Sequence, residues 1–188
     1  MSDAHDDHDH SAPKSFAREL EDATGIRVSR CYQCGKCTAG CPMVPDMEQT
    51  PSQIMRLIQM DQRDAVLGSK TLWYCASCLT CSTRCPQEVK IAELMDALRE
   101  RSLSERKAHR ASRKIRAFAR SFLRAVERNG RIHEMGMVMD YKLTSKDFFG
   151  DILLAPQMFL KGKLKLFART IKGSAHVRRL FEKTAGRD

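Results

Sequence analysis

The sequence predicts a mostly α-helical protein. Three observations support that class. Apolar residues recur at intervals of three and four in several windows, residues that start and stop helices flank those windows, and no stretch shows a persuasive apolar–polar alternation. With 188 residues, 42% hydrophobic and 30% charged, the chain suffices for one packed domain, or for a small domain with an extension.

The elements follow in order. Residues 1–14, "MSDAHDDHDHSAPK", read as a disordered, acidic tail. His5, His8 and His10 would bind a metal only weakly there, and a solvated end is the plainer reading. "SFARELEDATG" predicts a short helix with Phe16 and Leu20 on one face and Gly25 as its stop. "IRVSR" then leads in extended form to the first cysteine. Thr50, Pro51 and Gln53 form an N-terminal signature of cap, first-turn proline and capping-box partner. Ile54, Leu57 and Ile58 follow at helical spacing. "DQRDAVLG" predicts a second short helix ending at Gly68, and "TLWY" delivers Trp73 and Tyr74 to the next run of cysteines. Ile91, Leu94, Met95 and Leu98 make one apolar face. A longer helix is expected over about 104–129, stopping at Asn129-Gly130, with Ile115, Phe118, Phe122 and Val126 as its apolar side. The remainder reads as short helices and loops.

Charge divides the chain. Residues 1–100 carry 11 Lys/Arg against 15 Asp/Glu, and residues 101–188 carry 22 against 8, within an overall net charge of +10. The break suggests a module over 15–100 and a basic extension over 101–188. No apolar run approaches the roughly 20 residues of a membrane helix, and the polar N-terminus is not that of a signal peptide. The expected compartment is therefore the reducing cytoplasm.

All 8 cysteines fall in two runs, "CYQCGKCTAGCP" from Cys31 to Pro42 and "CASCLTCSTRCP" from Cys75 to Pro86. Nothing signals export, and cysteines two residues apart make poor disulfide partners, so disulfides are the weakest reading. Zinc ribbons use two Cys-x₂-Cys pairs for one tetrahedral ion. Here each run offers three closely spaced cysteines and a fourth before proline, more than a ribbon requires. The pattern suits two [4Fe–4S] clusters, in which each iron takes one thiolate and main-chain amides neutralise the anionic core. Gly35 relieves crowding where the first loop wraps. In ferredoxins with paired runs of this spacing, the fourth cysteine of each run serves the other cluster. Carried over by position, cluster one takes Cys31, Cys34, Cys37 and Cys85, and cluster two takes Cys75, Cys78, Cys81 and Cys41. The apo-protein is then expected to fold poorly.

Nothing else looks catalytic. There is no P-loop, no Gly-x-Gly-x-x-Gly and no nucleophile elbow. His109, His133 and His176 are scattered. Trp73 and Tyr74 read as core packing before they read as neighbours of a cluster. Lys36 and Arg84 lie within the runs, where they either raise cluster potentials or simply face solvent.

The wording "CYQCGKC", the second run "WYCASCLTCSTRCP" and the 33 residues between Cys41 and Cys75 resemble the C-type iron–sulfur component of heterodisulfide reductase. The motif resemblance spans about Phe16 to Leu98 and continues loosely through "GRIHEMGMV" and "GKLKLF". The cysteine spacing alone is shared with iron–sulfur subunits of fumarate reductase, succinate dehydrogenase and anaerobic glycerol-3-phosphate dehydrogenase. The resemblance implies an α-helical ferredoxin fold and a soluble electron relay. Its partners would be a flavin-containing A-type subunit and a B-type subunit whose Cys-Cys-Gly motifs build the disulfide-cleaving site. This chain has no Cys-Cys-Gly. Relatives of this kind serve methanogens or bacterial complexes that oxidise carrier-bound sulfur, and the arginine-rich composition inclines the reading to the bacterial type. The alternative is an iron–sulfur subunit of a membrane-anchored, quinone-linked dehydrogenase of the fumarate reductase or glycerol-3-phosphate dehydrogenase type.

Residues 106–131 hold ten Lys/Arg and one acid, Glu127. Arg116, Arg120, Arg124 and Arg128 recur every four residues and would form one stripe along a helix. Many such runs are only solvated faces. This imbalance suggests docking to an acidic subunit, with nucleic acid unsupported by any stacking aromatics. "MFLKGKLKLFARTIK" also has the basic amphipathic character of a membrane-surface or subunit-packing segment.

Overall fold

A computed structural model describes residues 14–145 and 170–184. The acidic tail over 1–13 and the segment 146–169, with its "MFLKGKLKLF" stretch, lie outside the described residues. Among the described residues every regular element is helical. They divide into two compact units, 1–110 and 111–188.

In the first unit, α1 spans Phe16–Thr24 with Ser15 as its cap. A 3₁₀ turn, Val28–Arg30, replaces the extended segment expected for "IRVSR", and it tucks Val28 fully into the core. The first cysteine run carries α2, Lys36–Ala39. Next come α3, Pro51–Gln59, α4, Arg63–Leu67, and α5, Thr71–Tyr74. The second run carries α6, Thr80–Thr83, and α7 follows over Ile91–Ser104.

The predicted capping box on α3 is complete. Thr50 Oγ1 accepts from the Gln53 N–H, and the Thr50 N–H donates to Gln53 Oε1 at 2.7 Å, which satisfies two donors that a helix start leaves free. Asp61, at φ 59°, reverses the chain after α3, and its carboxylate accepts from the Phe16 N–H at 2.5 Å. That bond ties the start of α1 to the end of α3.

The apolar faces read from the sequence meet in one core. Phe16, Leu20, Ile54, Ile58, Leu94, Met95 and Leu98 are buried, and Leu57 and Trp73 pack against them. Around its edge runs a charge network. Arg63 bonds Glu19 at 2.8 Å and Glu105 at 2.7 Å, and Arg101 bonds both acids. Three helix-bearing segments distant in sequence are thus tied by partly buried ion pairs.

The helix expected over 104–129 starts later than expected, because α7 runs on to Ser104 and is stopped there. α7 closes with the Arg106 and Lys107 N–H groups returning to Leu103 and Ser102, with Arg106 at φ 57°. This 6→1 and 5→2 pairing is a Schellman stop, formed here without glycine. The next helix, α8, begins only at Ser112 and runs to Asn129, ending at Gly130 as predicted.

Among the described residues of the second unit, α8 packs on α9, Glu134–Ser145, and on α10, Ser174–Thr184. His133 starts α9 by accepting the Gly136 N–H on Nδ1 at 3.1 Å. The buried stripe of α8 is Ser112, Ala117, Ser121 and Ala125, not the Ile115–Val126 side expected from size. Small side chains permit close helix approach, whereas Ile115 and Phe118 remain 41% and 48% exposed. Phe118 meets Tyr141 edge-to-face at 6.1 Å.

Candidate metal centre

The two cysteine runs fold as repeats of one loop. Each begins after a short helical turn, rises through left-handed backbone and enters a one-turn helix. Gln33 and Gly35 in the first run lie at φ 64° and 74°, and their counterparts Ser77 and Leu79 lie at φ 48° and 63°. Gly35 suits this conformation because it has no Cβ. Leu79 adopts it at a steric cost of about 1 kcal/mol. The one-turn helices α2 and α6 that follow pack on each other.

None of the eight cysteines is in a disulfide. Cys37 is buried, Cys34 and Cys78 are exposed, and the other five are partly buried. A small pocket, partly open to solvent, is lined by Cys41 together with Cys75, Cys78 and Cys81, and otherwise mainly by apolar groups such as Met43, Met47 and Met95. The fourth cysteine of the first run therefore stands among the first three of the second.

Tyr32 follows the first cysteine of the first run. Crowding around its hydroxyl, then Cys34, then Cys85 push this phenol upward, although its ring is 59% exposed. Cys85 packs against the core. It also accepts the Val89 N–H on Sγ at 3.4 Å.

The thiols differ in their surroundings. Burial pushes Cys37 up, and burial followed by Cys75 pushes Cys81 up. Cys78 is lowered, chiefly by a hydrogen bond with the Thr80 hydroxyl, 3.4 Å away. Gln33 donates to Cys31 Sγ at 3.5 Å. Among the described residues, the main-chain N–H groups of 32–35 and 76–79 find no main-chain acceptor. Donors of this kind beside thiols suit an anionic cluster, whose bridging sulfides accept amide hydrogen bonds. The residues present therefore fit the cofactor that their spacing implies. Among the described residues, no three Cys, His, Asp or Glu side chains form a site for a single metal ion.

Other residues singled out by sequence fall as follows. Trp73 packs against the core, and its indole Nε1 is buried without a hydrogen-bond partner. Tyr74 lies under Lys70, 5.8 Å from its Nζ. Lys36 and Arg84 are exposed. Arg84 lies across Gly40, where a Cβ would come within 2.7 Å of its Nη1 and 2.8 Å of its Cδ. Of the arginine stripe on α8, Arg124 contacts Asp140 at 3.3 Å.

Sequence reasoning missed two residues that hold the runs in place. Gln59 and Arg99 bond the carbonyls of Cys31 and Cys75, across 28 and 24 residues respectively. No local pattern marks either one. A position-by-position alignment of the two runs would have exposed Leu79 as the partner of Gly35.

Comparison with known proteins identifies the cysteine module. The family model of a 4Fe-4S dicluster domain matches residues 27–89. The chain is 35% identical over 130 residues to the iron-sulfur "C 2" component of the CoB--CoM heterodisulfide reductase of Methanocaldococcus jannaschii, covering 65% of this chain and 69% of that protein. It is 35% identical over 116 residues to the corresponding iron-sulfur component of Methanopyrus kandleri, covering 62% and 60%. It is 34% identical over 86 residues to the C-type component of the H(2):CoB-CoM heterodisulfide,ferredoxin reductase of Methanothermobacter marburgensis, covering 46% of each. The chain thus spans less than two thirds of the length of the latter two relatives.

Proposed function

This chain belongs to the family of C-type iron–sulfur components of heterodisulfide reductase, and from that premise we propose that it relays single electrons within a heterodisulfide reductase or heterodisulfide reductase-like complex. Two [4Fe–4S] clusters are the cofactors. When bound, such a cluster supplies a one-electron couple whose potential responds to nearby hydrogen bonds and charge. Cys31, Cys34, Cys37 and Cys85 hold one cluster, and Cys41, Cys75, Cys78 and Cys81 hold the other.

The observation that carries this reading is the cavity bordered jointly by Cys41 and three cysteines of the second run. The residues around it bind and orient: α2 and α6 seat the third cysteine of each run, the free amides offer hydrogen bonds, and Met43, Met47 and Met95 supply an apolar wall. The partners are a flavin-containing A-type subunit and a Cys-Cys-Gly B-type subunit, which supplies the disulfide or sulfur chemistry. No described helix is long and apolar enough to cross a membrane, and the proposed compartment is the cytoplasm.

Two measurements test the reading. Anaerobically prepared protein should contain about eight irons and about eight sulfides per chain and give reducible EPR signals; colourless, zinc-loaded protein would falsify it. Exchange of the fourth cysteines is tested by comparing spectra of Cys41→Ser, Cys75→Ser and Cys31→Ser. Cys41→Ser should disturb the signal disturbed by Cys75→Ser. If it instead matches Cys31→Ser, each run holds its own cluster.

A further inference from the structure

The two cysteine runs are held by equivalent clamps of different charge. From α3, Gln59 donates through Nε2 to the carbonyls of Val28 at 3.3 Å and Cys31 at 2.8 Å, and its Oε1 accepts from Gln33 at 3.1 Å. From α7, Arg99 donates to the carbonyls of Leu72 and Cys75, and to Ser77 Oγ at 3.1 Å. The correspondence is position by position. Each clamp takes the carbonyl of the run's first cysteine, the carbonyl three residues earlier, and the side chain two residues later. Those later residues, Gln33 and Ser77, both stand in left-handed backbone.

One clamp is a neutral amide. The other is a guanidinium, permanently charged, 22% exposed and one hydrogen bond from the main chain of a thiol-bearing residue. Asp96 bonds both Arg99 and Ser77 Oγ. Asp96 is 56% exposed, so it offsets the guanidinium only in part. Lys36 and Arg84 stand one in each run and both face solvent, where water and salt screen them.

We propose that this difference ranks the two cluster sites: Arg99 makes the site of Cys41, Cys75, Cys78 and Cys81 the easier to reduce, and neutral Gln59 leaves the site of Cys31, Cys34, Cys37 and Cys85 the harder. The proposal rests on the cluster-binding reading above. Reduction adds one electron and no atom, and a fixed cation held close by stabilises the added charge. Arg99 is a positioning residue as well, since it sets the Cys75 loop.

The test is an EPR-monitored redox titration of the full chain carrying both clusters, with dithionite supplying the electrons. The site-two signal is identified by its alteration in Cys75→Ser. Arg99→Gln should lower that couple's reduced-to-oxidised ratio about tenfold at fixed poise, a shift of about 59 mV for one electron, and leave the other couple in place. Arg99→Lys, which keeps the charge, should restore most of the shift. Asp96→Asn keeps the acceptor for Ser77 and Arg99 but removes the countercharge, so it should raise the same couple. A clamp that acts only on structure predicts no movement in Asp96→Asn, and unmoved potentials there overturn the proposal. That variant decides the matter alone if Arg99→Gln loses its cluster. Parent protein without any reducible iron would overturn the cluster reading itself, and this inference with it.

Discussion

Leu79 and Gly35 occupy the same place in the two runs, with nearly the same backbone, yet only one of them suits it. Leu79 is 52% exposed, so its side chain contributes little burial to offset the left-handed strain. Leu79→Gly removes about 1 kcal/mol of strain and adds roughly 0.5–1 kcal/mol of unfolded-state freedom. Its net effect should fall between neutral and about 0.5 kcal/mol stabilising. Gly35→Ala, which meets open space but forces a Cβ into the same region, should cost about 1 kcal/mol. Anaerobic thermal unfolding of cluster-loaded protein checks both, and a lower midpoint for Leu79→Gly would show that the leucine has a packing role. The spacing of the cysteines was legible at this scale because it is covalent. The φ angles were not, because leucine gives no warning of a conformation that glycine would advertise.

At the level of elements, α3 shows how far local signals reach. Its cap, first-turn proline and apolar stripe are all in the sequence, and all form. Thr50→Ala removes the cap side chain and should cost about 1 kcal/mol, read as a lowered unfolding midpoint with unchanged iron content. The tie between α1, α4 and α7 was not legible, because its members lie 42 to 82 residues apart. Arg63, with further help from Arg101 and Lys107, holds the Glu105 carboxyl down at about 2, below its ordinary 4.5. A carboxyl lowered on folding stabilises the fold above its unfolded value, and that contribution fades as pH drops toward the folded value. The stability gap between parent and Glu105→Gln should therefore be constant above about pH 5 and shrink from about 4.5 downward. A gap that widens on acidification would contradict the assignment. The Schellman stop after α7 escaped the sequence reading for a related reason: Arg106 takes the place glycine usually holds.

For the molecule as a whole, the charge asymmetry divides between the cysteine module and a basic unit in which three helices are described. The arginines of α8 stand where the buried stripe of small residues leaves them. Arg120 and Arg128 are exposed, whereas Arg124 contacts Asp140. If this unit docks an acidic subunit, Arg120→Glu with Arg128→Glu should weaken co-purification with the complex at low salt. The difference from parent should narrow as salt rises, while the EPR signals stay unchanged. Binding that ignores both the charge reversal and the salt would remove the basic face from the interface.

What the sequence determined by itself is the helical class, the number and spacing of the thiols, and hence the kind of cofactor the chain is built for. Each follows from the covalent chain or from neighbours within a helical turn. The tertiary structure alone decided that a neutral amide and a guanidinium hold equivalent places behind the two runs. Those relations link residues two dozen or more positions apart. They exist only once the helices have packed, because a hydrogen bond or a Coulomb contact depends on distance through space and not along the chain.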